Sequence, residues 1–420
     1  MVVGSTVGEP VTPASQPSPW SGGAPFSARP AAPGSPHPAN PEGYGPLELL
    51  VIQPTPYCNL DCDYCYLSSR ADRHRLSMDT LDAALERVLE SPFFDGPFTL
   101  LWHAGEPLTA GISFYERASA LLRLILQRRG LPADTVVQAI QTNATVIDQA
   151  WCDCFRRNAI HVGVSLDGPA FLHDAHRRTR TGLGSHAAAL RGVQWLKRCE
   201  IPFHVISVLT ADGLAHADAI FDFFVEHGIE LVGFNMEETE GENACSSLEI
   251  PDAEQRYVAF LQRFWQRIEQ RPGVLHLREF DGITSLACGE ERLSNTDMNW
   301  PFVIVNVDVK GNISTFDPEL LSVKTAEFGD FSFGNVRQDS LASILANEKY
   351  QRVAAQILAG VERCRQSCAY FALCGGGAGS NKYWEHGTFD CTVTQACRYR
   401  TQLVADVALA GMEKALGLAA

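Results

Sequence analysis

Leu47-Glu-Leu-Leu-Val-Ile-Gln-Pro-Thr-Pro-Tyr-Cys58-Asn-Leu-Asp-Cys62-Asp-Tyr-Cys65-Tyr66 runs from a short apolar segment directly into a loop with three cysteines. The segment Leu47–Gln53 reads as a buried strand, and the loop leaves its C-terminal end. Cys58, Cys62 and Cys65 are separated by three and then two residues. Three thiolates so spaced can reach three irons of a [4Fe-4S] cube, leaving the fourth iron open to a small molecule. Zinc or disulfides are the competing uses of these cysteines. Zinc wants a fourth Cys or His close by, and His74, nine residues on, is an awkward reach.

Working outward, strand-like segments at 47–54, 97–103, 135–142, 161–167, 202–210 and 231–236 alternate with amphipathic stretches. The latter fall at about 77–91, 112–129, 147–157, 185–199, 215–227 and 252–270. Six βα units predict one parallel sheet, either an open doubly wound sheet or an incomplete barrel, and periodicity does not choose between them. In both architectures the chemistry sits past the C-terminal ends of the strands. Residues 1–45, rich in Pro, Gly, Ser and Ala, predict a disordered leader. No peptide-recognition domain is evident before residue 46.

The 420 residues exceed one ordinary core, and no apolar run approaches the ~20 residues of a membrane span. The N-terminus lacks a basic region followed by a hydrophobic core, so a cytoplasmic location is expected. Thirteen cysteines there favour metal ligation over disulfides. A net charge of −15 argues against a nucleic-acid or anionic-membrane partner.

The strand ends carry polar groups. After the second strand comes Trp102-His103-Ala104-Gly105-Glu106-Pro107, after the third Gln141-Thr142-Asn143, and after the fourth Ser165-Leu166-Asp167-Gly168-Pro169, followed by Arg177. The three-cysteine loop, with aromatic Tyr64 before its last cysteine, resembles the signature of radical S-adenosylmethionine (SAM) enzymes. The ordered set of strand-end motifs strengthens that likeness and argues against zinc.

The resemblance implies a partial (β/α)6 TIM-like barrel in α/β class, over residues 46–272. Its cluster would sit on Cys58, Cys62 and Cys65. Gly105, Glu106 and Pro107 would match the Gly-Gly-Glu-Pro motif that holds the SAM amino group, with Ala104 in place of its first glycine. Asn143 and Ser165 would contact the ribose and methionyl parts, and Arg177 would pair with the SAM carboxylate.

After a connector at 273–300, the C-terminal third holds Cys364, Cys368, Cys374, Cys391 and Cys397 around Gly375-Gly-Gly377, a segment otherwise short of secondary-structure signal. A structural zinc or an iron-sulfur cluster would suit them. The group, over 301–410 and before a tail at 411–420, resembles the SPASM domain. One auxiliary [4Fe-4S] cluster on Cys364, Cys368, Cys374 and Cys397 is implied, with Cys391 as the alternative fourth ligand. The hairpin Val303–Asp317 lacks the family's earlier cysteines, and Phe316 stands where one is expected. The remaining Cys152, Cys154, Cys199, Cys245 and Cys288 read as ordinary thiols.

The quoted motifs, together with Gly233-Phe-Asn-Met-Glu-Glu-Thr-Glu-Gly241, Ser314-Thr-Phe-Asp-Pro-Glu-Leu320 and Cys374-Gly-Gly-Gly-Ala-Gly-Ser-Asn-Lys382, are similar to the cyclophane-forming maturases of glycine-rich-repeat (Grr) precursors. That likeness implies a ribosomal precursor peptide and an external flavodoxin- or ferredoxin-type electron donor. The reaction implied is a carbon–carbon crosslink between an aromatic ring and an unactivated side-chain carbon, started by a 5′-deoxyadenosyl radical. Asp317, placed like an acidic residue of sulfatase-maturing enzymes, would take the proton; its alternative is a turn cap before Pro318. Other oxidations on the same scaffold, thioether or formylglycine formation, share these residues. A non-catalytic electron carrier or peptide scaffold would leave the strand-end set around an open iron unexplained.

Overall fold

The computed structural model describes residues 38–321 and 323–418, so most of the expected leader lies outside the described residues. Its last residues are packed. Buried Asn40 donates to the Tyr44 carbonyl and accepts from the Tyr44 N–H, and Tyr44 meets Trp300 edge-on at 5.5 Å. Ordered structure therefore begins before residue 45, because one amide and one ring anchor a segment that composition alone classes as disordered.

Strands β1 (Leu49–Ile52), β2 (Phe98–Trp102), β3 (Val136–Thr142), β4 (Ile160–Ser165), β5 (Phe203–Leu209) and β6 (Leu231–Met236) lie side by side in chain order, all parallel. Connecting them are α1 (Met78–Leu89), α2 (Ile112–Arg129), α3 (Gln149–Asn158), α4 (Ala170–His176), α5 (His186–Arg198) and α6 (Ala217–Glu226), followed by α7 (Ala253–Gln270). The short α4 has no counterpart in the periodicity. A doubly wound sheet needs a reversal of strand order, and β1 to β6 has none, so same-handed crossovers place the helices on one side. The arrangement is the partial barrel.

Both faces of β1 are buried, which explains its unbroken apolar run. Leu50 and Ile52 pack with the large core that includes Leu81 and Leu85 of α1. Leu49 and Val51 join Leu101, Ala139 and Ile304 in a separate inner cluster.

The barrel is open, and its free edges are used. β7 (His276–Leu277) extends β6. β8 (Ile304–Val307) adds parallel to β1, with Leu49 opposite Ile304, β9 (Asn312–Thr315) returns antiparallel, and the two-residue strand Gly334–Asn335 pairs antiparallel with β9, making a ten-stranded sheet. The hairpin predicted at 303–317 thus continues the catalytic sheet and covers an edge that would otherwise expose backbone donors and acceptors.

The expectation of a C-terminal third with little regular structure is overturned. After α8 (Arg278–Cys288), the 20-residue α9 (Glu348–Ser367) buries Tyr350, Val353, Ala354, Ile357, Val361 and Cys364 on one stripe, and Asn347 caps its N-terminus. The cysteine count and the glycines mask this helical period. Helices Gly379–His386 and Leu403–Ala415 follow, so the expected tail contains the last turn of a helix that packs on α7 and α8. Among the described residues no helix is long and apolar enough to cross a membrane.

Candidate active site

The three-cysteine loop is clamped by hydrogen bonds rather than by regular structure. Cys58 N–H donates to the Arg70 carbonyl (3.0 Å), Arg70 Nη1 donates to the Cys62 carbonyl (2.9 Å), and Asp61 N–H donates to the Arg178 carbonyl (2.7 Å). Burial pushes the Cys58 thiol up to about 12 and the Cys62 thiol to about 11. Such thiols become ligands only when a metal displaces the proton.

The strand-end motifs form the walls. Ala104 takes φ +66° and Gly105 φ +82°, so alanine itself supplies the left-handed backbone that a glycine was expected to provide. At Gly105 no side chain fits: a Cβ would lie 2.4 Å from the Thr55 carbonyl, where this turn presses against the residues leading into Cys58. Glu106 is buried and accepts from Leu108 N–H (2.9 Å), the Thr142 hydroxyl (2.7 Å) and Asn143 N–H (2.8 Å). Burial raises its carboxyl above the usual range, and those donors oppose the rise.

Asn143 Nδ2 donates to Asn59 Oδ1 (2.8 Å), tying the third strand end to the cysteine loop. Ser165 Oγ accepts from Gln141 Nε2 (3.0 Å). Asp167 gathers the Tyr64 hydroxyl (2.5 Å), Arg177 Nε and Nη2 (2.8 and 3.0 Å) and Val208 N–H (2.9 Å). Burial alone would raise Asp167, but the Arg177 guanidinium holds it below the usual carboxylate range. A carboxylate ligand would have to share Arg177 with Asp167.

One cavity of about 220 Å³ is lined by Cys58, Cys62, Cys65, Tyr64, Gly105, Glu106, Asn143, Ser165 and Arg177. Pro107 begins the 3₁₀ turn Pro107–Ala110 behind Glu106 and stays out of the lining. The donor set fits the expected group: three thiols for a cluster, with a buried carboxylate, an amide, a hydroxyl and a guanidinium for a zwitterionic nucleoside. His103, on the same wall, has a buried Nδ1 without a partner among the described residues.

A second cavity, about 580 Å³, is lined by Cys364, Cys368, Cys374 and Cys397. Cys364 and Cys368 lie one turn apart at the end of α9, Cys374 closes the turn Phe371–Cys374, and Cys397 closes Gln395–Cys397. Asn299 Nδ2 holds the Gly375 and Gly377 carbonyls, both at 2.9 Å. Cys391 is not in the lining, and its sulfur lies 3.5 Å from the Thr388 carbonyl.

Metal–sulfur bonds of about 2.3 Å would draw zinc thiolates tightly together. Among the described residues no three Cys, His, Asp or Glu side chains are so gathered. Phe316, where a further ligand was expected, is fully buried and stacks with Tyr350. The apolar core occupies that position.

Met236, Met298 and Arg400 line both cavities. Arg400 lies on a π-helical turn, Arg398–Gln402, immediately after Cys397, and pairs with Glu238 (3.6 Å). Asp317 is fully buried and lines neither cavity. Its Oδ2 accepts from Ser380 N–H (2.8 Å), while Oδ1 has no partner among the described residues. It makes no side-chain cap to the turn Pro318–Leu320, so the turn-cap alternative is not the geometry seen.

Glu240, Glu319 and Arg400 also line the barrel cavity and were not singled out from sequence. Their signal was weak: the glutamates lie within quoted motifs, and Arg400 only follows a cysteine. Of the other thiols, Cys152, Cys154 and Cys199 are buried, and Cys245 and Cys288 are exposed.

Comparison with known proteins agrees with this geometry. Residues 52–224 match the radical SAM superfamily, and residues 299–369 match SPASM, an iron-sulfur cluster-binding domain. The uncharacterized protein sll1766 of Synechocystis sp. is 52% identical over 376 residues, 90% of this chain and 94% of that protein. A cysteine-type anaerobic sulfatase-maturating enzyme of Clostridium perfringens is 25% identical over 353 residues, 79% of this chain and 88% of that enzyme. Among solved structures, anSMEcpe with bound AdoMet and Cp18Cys peptide superposes with a TM-score of 0.70 at 21% identity, over 88% of this chain and 99% of that one. Streptococcus suis SuiB bound to precursor peptide SuiA gives 0.58 at 15% identity, over 84% and 76%.

Proposed function

The chain belongs to the radical SAM enzymes that carry a SPASM domain, and from that premise we propose that it crosslinks a ribosomally made precursor peptide, joining an aromatic ring to an unactivated side-chain carbon as a cyclophane. Cys58, Cys62 and Cys65 would hold the catalytic [4Fe-4S] cluster, and Cys364, Cys368, Cys374 and Cys397 one auxiliary cluster. Gly105, Glu106, Asn143, Ser165 and Arg177, with Tyr64 bracing Asp167, would hold SAM. Bound there and reduced by a flavodoxin- or ferredoxin-type donor, the cluster and SAM supply hydrogen-atom abstraction, releasing methionine and 5′-deoxyadenosine.

The observation that supports radical SAM chemistry is the convergence of side chains from the cysteine loop and three strand ends on one cavity, which shares a wall with the cavity of four thiols. The choice of a crosslink rests on the likeness of the motifs at 233–241, 314–320 and 374–382 to the cyclophane-forming maturases. Glu106 offers a carboxylate to an ammonium group. Arg177, fixed by Asp167, turns a positive edge toward a carboxylate. Asp317, buried outside both linings, would act as the base for the proton lost when the ring regains aromaticity only through a relaying group of the wall. The thirteen thiols, all free where described, suit a reducing cytoplasm.

The test is co-expression with a short precursor encoded beside the enzyme. The expected product is lighter by two hydrogen atoms, with fragmentation blocked between the joined residues. A second reading, formylglycine or thioether formation, is favoured by the likeness to sulfatase-maturating enzymes. Conversion of a sulfatase-derived peptide, with the precursor left unchanged, would establish it instead.

A further inference from the structure

The loop after β6 is strapped to the three-cysteine loop. Glu242 N–H donates to the Tyr66 carbonyl (3.0 Å), and Gly241, at φ +55°, has no room for a Cβ, which would lie 2.3 Å from that same oxygen. Glu240 and Asn243 exchange backbone hydrogen bonds of 2.8 and 2.9 Å. This geometry sets Glu240 into the barrel-cavity wall, 4% exposed, with Oε1 lacking a partner among the described residues. Glu319, from the turn after β9, lines the same cavity, and its Oε2 and the Tyr66 hydroxyl also lack partners there.

Neighbouring acids are already engaged. Glu237 binds Ser247, Glu238 binds Asn381 (2.9 Å) and Arg400, Asp317 binds Ser380, and Glu106 has three donors. Arg400 is the guanidinium whose field reaches Glu238, Glu319, Glu240 and Asp317 together. Burial and then the Glu319 charge push Glu240 well above the usual range, with Glu238 and Asp317 adding to the rise and a hydrogen bond from the Ser380 side chain opposing it. Burial pushes Glu319 up to about 7, where Glu238 and Asp297 add and Arg400 opposes. Buried carboxylates short of donors are relieved by protons or by a cation.

We infer that Glu240 and Glu319, with the Tyr66 hydroxyl, form a subsite for a cationic side chain of the peptide, a lysine or arginine near the residue being modified. The inference rests on the peptide-substrate reading. An apolar side chain would offer these oxygens neither a donor nor a charge, whereas an ammonium or guanidinium presents several N–H donors and a positive charge opposite two carboxylates.

The probes are fluorescein-labelled pentapeptides, identical except for lysine, norleucine or glutamate beside a phenylalanine. Their binding to iron-reconstituted, SAM-loaded enzyme is read by fluorescence anisotropy. The lysine peptide is expected to bind roughly tenfold or more tighter than the norleucine peptide, with glutamate weakest. The preference should vanish in Glu240→Gln/Glu319→Gln, whose iron content and cluster absorption report that the protein has folded.

Equal binding of lysine and norleucine peptides to wild type would overturn the subsite and leave the peptide reading standing. A preference that survives the double substitution would overturn it as well. Failure of every peptide to bind would overturn the peptide reading and the subsite with it. If the double variant does not fold, the wild-type comparison decides alone.

Discussion

In the barrel mouth, Cys58, Cys62 and Cys65 share one loop that Arg70 and Arg178 clamp through the backbone; in the C-terminal cavity the four thiols come from the ends of three separate helical segments. The first site is shaped before a metal arrives. The second joins elements distant in sequence, so a cluster there would act as a cross-link as well as a redox group. The first should therefore control SAM chemistry, and the second both the fate of the substrate and the stability of its lobe.

The sharpest way to break this contrast is to empty each site in turn. Replacing Cys58, Cys62 and Cys65 by Ala should reduce 5′-deoxyadenosine formation to background and leave about four of about eight irons, four belonging to each [4Fe-4S] cluster. Replacing Cys364, Cys368 and Cys374 should also leave about four irons, yet spare SAM cleavage while crosslinking is lost. The second variant should show faster proteolysis in the helices from 348 to 415. About twelve irons in wild type would refute a single auxiliary cluster.

Asp317→Asn keeps an acceptor for the Ser380 N–H and removes basicity. Crosslinking should fall by about 10²–10⁴-fold while 5′-deoxyadenosine still forms, so the two products uncouple. Wild-type crosslinking in this variant would send the proton elsewhere.

Glu106→Gln should weaken SAM binding about ten- to a hundredfold by equilibrium dialysis, the effect of losing a charged hydrogen-bond acceptor worth about 1.5–3 kcal/mol. Because burial raises the Glu106 carboxyl, wild-type SAM affinity should fall on acidification at a higher pH than an exposed glutamate would give.

The smallest effect concerns stability. Glu319 has a folded value near 7 against about 4.3 when unfolded, so the folded state binds more protons between them. Its contribution is fully present below about pH 4.3 and is lost as pH rises through 7. Glu319→Gln should consequently gain on wild type across that window, reaching roughly 2–4 °C in melting temperature near pH 8.

The barrel was legible in the sequence because six buried strands read as short apolar runs and the helices between them keep a period of 3.6. Each of those strands begins and ends within two residues of its expected range. Thiols and strand-end polar residues were legible for the same reason, since their place in chain order fixes their place at the mouth. What local pattern does not encode was missed. The stripe of α9 is interrupted by Gly360 and ends in a cysteine, so its length was hidden. The docking of β8 on β1 is a long-range pairing with no sequence signature. Glu240, Glu319 and Arg400 meet only because that pairing and the π-helical turn after Cys397 bring distant segments to one wall.

The most direct test of the account is SAM turnover by the iron-reconstituted wild-type protein under chemical reduction, with 5′-deoxyadenosine and methionine quantified by mass spectrometry. The account predicts both products in equal amounts, dependent on the reductant and on Cys58, Cys62 and Cys65. Fully iron-loaded, reduced protein that binds SAM and releases no 5′-deoxyadenosine would contradict it.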